Sequence, residues 1–181
     1  MPRLAVWRRR SGPLEFRMHP NPYAADLADR DALTALGETP YQIRALVHDW
    51  STEQFEKSYA PGKWSARLIL VHLAQAELAL STRARFALAE DGYTAQSFDQ
   101  DAWLPLDDRA DARAALDAYT ALRTFNLAMW RRLTPGQLDR RFTHPDFGRV
   151  NVRWIEAHIA GHDIHHLRHF EAMQASLIAN R

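Results

Sequence analysis

Apolar residues recur three and four positions apart through four long stretches of the chain, a spacing that predicts four amphipathic helices. The first is expected over 24–50, with a break near Gly37–Pro40. Pro40 suits a first helical turn after Thr39, and Ile43, Leu46, Val47 and Trp50 follow at helical spacing. Ser51-Thr52-Glu53-Gln54 reads as a short capped turn leading to Phe55. Pro61-Gly62 makes a loop of 59–65, and Ser65 can cap a second helix reaching Glu90. Its apolar stripe is Leu68, Val71, Ala79 and Phe86, and Asp91-Gly92 ends it. A loop holding Trp103, Leu104 and Pro105 follows. The third helix covers 109–133 through Leu116, Tyr119, Leu122, Leu127 and Trp130, and Thr134-Pro135-Gly136 stops it. Residues 137–150 read as an extended arm or short hairpin around Gly148, and the last helix covers 151–177. The expected fold is all-α, a four-helix bundle. The second and third connections, each of roughly 20 residues, exceed what up-down neighbours need and allow crossovers.

Composition narrows the function. A chain of 181 residues has the length of one domain, expected to be 18–181. Residues 1–17 contain Arg8-Arg9-Arg10 but no apolar run behind them, so they read as an extension rather than a secretory signal; the rival is an ordered arm. A cytoplasmic location is expected. Lys and Arg (23) nearly balance Asp and Glu (22), which leaves no basic field for nucleic acid. No apolar run is long enough for a membrane helix. The chain has no cysteine, so disulfides, thiolate metal sites and a cysteine nucleophile are excluded. Any thiol must come from a substrate.

Five of the nine histidines fall within 158–169: His158, His162, His165, His166 and His169. With His158 set at zero on a helical wheel, Ile155, Ile159, Phe170, Met173 and Leu177 define a stripe centred near 80°. His162 at about 40° and His166 at about 80° sit inside it, while His165 and His169 lie beside His158 at its edge. A helical pair four apart can share one metal ion. Two ligands make a weak site, and His72, on the buried side of the second helix, is the best third. The bland reading of each is a hydrogen-bonded core histidine. Edge histidines 158, 165 and 169 read as partly solvated or as partners of the ligands, and His144 could overhang the site. Glu77, about 140° round the helix from His72, should not face the metal. Asp163 and Glu156 either orient a neighbour or are simply solvated. Trp64 reads as a core cap, and Trp103 and Leu104 as core cover or a pocket mouth. Arg149, Arg153 and Arg168 are candidate carboxylate attractors or surface residues. A second apolar line, Ala160, Ile164, Leu167 and Ile178, offers a homodimer contact.

Pro61-Gly-Lys-Trp-Ser65, then His72-Leu-Ala-Gln-Ala-Glu77, then His162-Asp-Ile-His-His166, resembles the DinB-like (YfiT-like) metal-dependent enzymes over about 27–174. The resemblance implies a bundle with an up-up-down-down type of crossover, often dimeric. It implies zinc or nickel held by three histidines, here His72, His162 and His166, in agreement with the helical phase. It also implies a small-molecule substrate, and thiol-dependent transfer with a low-molecular-weight thiol or hydrolysis. The family often has Gln where this chain has His169. Two rivals remain: a non-catalytic metal-binding module acting through a partner, and a metal-free bundle with an internal histidine network.

Overall fold

A computed structural model describes residues 18–179. The extension or arm expected at 1–17 lies outside the described residues. The elements run α1 (Ala24–Leu27), α2 (Ala32–Leu46), α3 (Thr52–Phe55), α4 (Ala66–Ala89), α5 (Gln100–Asp107), α6 (Ala112–Trp130), α7 (Pro135–Leu138), β1 (Arg141–His144), β2 (Gly148–Asn151) and α8 (Val152–Ala179).

Side-chain caps start most of the helices. Asp31, Ser65 and Asp111 accept backbone N–H groups at the N-termini of α2, α4 and α6. Ser51 and Thr134 form capping boxes with Gln54 and Gln137. The break expected near Gly37–Pro40 falls instead at 28–31, where Ala28 adopts φ 49° and Asp31 begins a new helix. Pro40 lies inside α2. Proline has no N–H, so the Leu36 carbonyl loses its partner one turn back. Arg123 Nη1 donates to that carbonyl at 3.1 Å and makes the proline tolerable.

α2 packs against α6 and α8, and α4 packs against the same two helices, so α2 and α4 occupy opposite corners. Two apolar clusters fix the directions. One holds Leu36, Leu80, Leu127 and Ile155; the other holds Ile43, Ile69, Leu116 and Phe170. α2 and α8 pass from the first cluster to the second, and α4 and α6 pass the opposite way. The order is therefore up-down-down-up, not up-up-down-down, and only the α4–α6 connection must traverse the bundle. It runs back along α4, anchored by Arg83 to the Gln96 carbonyl, Gln75 to the Trp103 carbonyl and Arg67 to the Asp108 carbonyl. The loop expected around Trp103–Pro105 is the helix α5, capped by Asp99, with Leu104 buried. The hairpin β1–β2 turns at Gly148, φ 65°.

Of the stripe expected on α4, only Val71 is buried in the core. Phe86 is exposed and Leu68 and Ala79 are half-buried, whereas Ile69, Leu70, Leu73, Leu80 and Ala84 form the core. α4 also buries His72, Gln75, Glu77, Ser81 and Arg83, so its buried face is too polar to be read from apolar spacing. On α8, Ala160, Ile164 and Leu167 are buried, because α1 and α2 cover that side within the chain; only Ile178 is exposed. That line is therefore not an open face. Among the described residues no helix is long and apolar enough to cross a membrane.

Gly161 allows the segment before α1 to sit against α8. A Cβ there would lie 2.5 Å from the Tyr23 carbonyl oxygen and 2.7 Å from Tyr23 Cβ. Gly161→Ala should displace Tyr23 and destabilise the fold by about 1–3 kcal/mol, despite the better helix propensity of alanine. Chemical denaturation measures the loss, and Tyr23 fluorescence or exchange locates it.

Candidate metal centre

His72 comes from α4, and His162 and His166 from successive turns of α8. All three are buried, and one ring nitrogen of each lies within 4.8 Å of the others. His72 Nε2 and His162 Nε2 are 2.8 Å apart. Ring centroids are separated by 5.0, 5.1 and 4.6 Å, with edges turned toward one another.

Burial lowers the His72 pKa to about 4, against an opposing pull from Asp163. Burial, and then the neighbouring imidazoles, hold His162 and His166 well below the ordinary histidine range. The three rings are neutral at pH 7, as metal ligation requires. His162 Nδ1 lies 3.3 Å from Asp163 Oδ1, which fixes the tautomer and frees Nε2 to act as a donor atom. His72 Nδ1 and His166 Nδ1 are buried without hydrogen-bond partners. Three neutral nitrogen donors that leave coordination positions open form the donor set of an open divalent-metal site. The residues present fit such an ion.

Asp163 is not solvated. It is buried, and its Oδ2 accepts from the Tyr119 hydroxyl at 2.7 Å and from Arg123 Nη2 at 2.7 Å. Arg123 also donates to Glu77 Oε2 from Nη2 at 2.6 Å and from Nε at 3.0 Å. Glu77 Oε1 accepts from Asn126 and Ser81. Glu77 thus points away from the histidines, as its helical phase requires, and acts on them only through Arg123 and Asp163. Glu156 is buried too, and burial raises its carboxyl pKa, but it makes no hydrogen bond to the three rings.

Two cavities meet at the cluster. The outer, of about 350 Å³, is lined by Tyr59, Lys63, Trp64, His165, His166 and His169. The inner, of about 140 Å³, is lined by His72, His162, His158, His144, Arg83 and Phe98. Tyr23 lines both. Trp64 is a site wall, its ring 5.1 Å from that of His72. His169 stacks on Tyr59 at 3.9 Å, His165 pairs with Asp26, and His158 stacks on Trp154. His144 overhangs the inner cavity, as its position before α8 allowed. Arg149, Arg153 and Arg168 line neither cavity; Arg153 pairs with Asp139 and Arg168 with Asp26. Arg83, Arg123 and Tyr23 went unnoticed in the sequence. Arginine on a helix reads as surface, and only Arg83's spacing from His72, eleven residues or about three turns, placed it on the same face.

Burial lowers the pKa of His72, His144 and His158 to about 4. The unfolded chain therefore binds more protons than the folded chain between about pH 6.5 and 4. Stability of the metal-free protein is full above that window and falls as pH drops through it. Each such ring contributes up to about 1.4 kcal/mol per pH unit. Urea melts at several pH values should show this slope, and a flat profile would contradict it.

A four-helix bundle with three converging buried histidines is a scaffold able to hold a metal. The chain belongs to the DinB superfamily, whose family profile matches residues 35–170 and so spans all three histidines. It is 29% identical over 137 residues to an Oceanobacillus iheyensis protein provisionally named a metal-dependent hydrolase, covering 75% of each chain. YfiT of Bacillus subtilis, with the same provisional name, is 27% identical over 140 residues, covering 76% of this chain and 79% of YfiT. The solved structure of YfiT superimposes with a TM-score of 0.75 at 26% identity, covering 81% of this chain and 85% of that one. It is described as a probable metal-dependent hydrolase with an unusual four-helix bundle topology.

Proposed function

We propose that the chain is a metal-dependent hydrolase of small molecules, with a divalent ion, zinc or nickel, held by His72, His162 and His166. The observation that carries this reading is the convergence of three buried, neutral imidazoles where two cavities meet. A divalent ion there supplies Lewis acidity, which brings the ionisation of a water or a thiol toward neutral pH. The chain does the rest. Asp163 holds the His162 ring, and Arg123 and Tyr119 hold Asp163. Tyr59 and Trp64 wall the outer cavity. Lys63 and His169 line the same cavity, which gives a substrate a route to His166.

The absence of cysteine keeps a second chemistry open, because no protein thiol competes with a low-molecular-weight thiol co-substrate. One experiment separates the two. Chelator-treated protein is assayed on an ester and amide panel, and for thiol consumption with an electrophile, before and after zinc or nickel is restored. Hydrolysis that needs only metal supports the proposal. Turnover that also needs added thiol replaces hydrolysis with S-transfer. Rates indifferent to chelator overturn both.

A further inference from the structure

Arg83 is 5% exposed and lines the inner cavity. Its Nη1 donates to His144 Nε2 at 2.7 Å and its Nη2 to the Gln96 carbonyl at 2.7 Å. Both acceptors are uncharged, since burial and Arg83 itself hold His144 near pKa 4. Among the described residues, no carboxylate oxygen lies within 4.0 Å of the guanidinium. Asp146 also lines the cavity and favours the Arg83 charge from a distance, but it is 65% exposed and its carboxylate sits 3.8 Å from Nδ1, on the far side of the His144 ring. Arg123, by contrast, has two buried carboxylates. Arginine stays charged at neutral pH, and a buried charge with no counter-charge in contact is costly. Two of its five N–H groups are used and the rest are available. His158, whose Nδ1 is buried without a partner, lines the same cavity. A volume of about 140 Å³ is the share of four or five waters, room for one small acidic group.

We propose that the inner cavity is an anion subsite, in which Arg83 takes a carboxylate or phosphate group of the substrate and holds it beside the histidine cluster. His144 aims the guanidinium, and His158 can donate a further N–H. The role in substrate binding rests on the metal-site reading, but the binding of an anion does not. The test therefore uses chelator-treated, metal-free protein. Acetate, inorganic phosphate and neutral acetamide are titrated at constant ionic strength. The Arg83 Nε–Hε signal and the His144 and His158 ring signals are followed by NMR.

At least one anion should move these signals saturably while acetamide does not, and the tighter anion identifies the favoured chemistry. Arg83→Gln should weaken that binding roughly tenfold or more, and Arg83→Lys less. Equal responses to acetate and acetamide, or undiminished binding in Arg83→Gln, would overturn the proposal. If Arg83→Gln fails to fold, the acetate–acetamide contrast and Arg83→Lys still decide it. Anion binding in a protein that takes up no metal would keep the anion site and remove its substrate role.

Discussion

Arg123→Met should destabilise the protein by about 3–5 kcal/mol, the cost of breaking a buried ion pair by removing one partner. The side chains of Glu77 and Asp163 are 0% and 2% exposed, and both depend on this guanidinium for counter-charge. Burial alone would pull the Arg123 pKa down, but Asp163, Tyr119 and Glu77 carry it well above the ordinary value. The same side chain satisfies the carbonyl orphaned by Pro40, so its loss also leaves Leu36 without a partner. One residue from α6 thereby ties α2, α4 and α8 together. Glu77→Gln in the Arg123→Met background should recover part of the loss, because one uncompensated carboxylate is gone. Chemical denaturation of the single and double variants measures this, and a loss below about 1 kcal/mol would contradict the account.

The second large effect is on metal content. His72→Ala, His162→Ala and His166→Ala should each abolish stoichiometric uptake, since two remaining imidazoles make a weak site. Asp163→Asn should fold and still bind, with affinity reduced about 10–100-fold, because it keeps the shape but loses the charge that orients His162. Elemental analysis of untagged protein reads the first result, and competition with a chelating dye reads the second. Full metal in His166→Ala would remove that residue from the set.

The inward pairing of His162 and His166 was legible because helical phase is a strong constraint: on α8, only these two share the stripe of Ile155, Ile159, Phe170 and Met173, whereas His72 was placed by a stripe of which only Val71 is core. The long α4–α6 connection and the Gly148 hairpin were legible from loop length and turn chemistry. The polar layer around the histidines was not. Asp163, Arg83 and Arg123 are charged residues on helices, and their burial depends on partners far along the chain, from other helices or, for Arg83, from β1 and the α4–α5 loop. Pro40 misled for the same reason. Its tolerance comes from Arg123, 83 positions away in the chain. The apolar line of Ala160, Ile164 and Leu167 read as an outer face only because the short helix α1 and the closeness of α2 were not foreseen.

Anomalous diffraction from crystals of the zinc-loaded protein locates the ion. One strong peak is expected about 2.0–2.1 Å from a ring nitrogen of each of His72, His162 and His166, with at least one position not filled by protein. A peak held elsewhere, for instance by His165 and His169 at the rim, or no peak in zinc-saturated crystals, would contradict it.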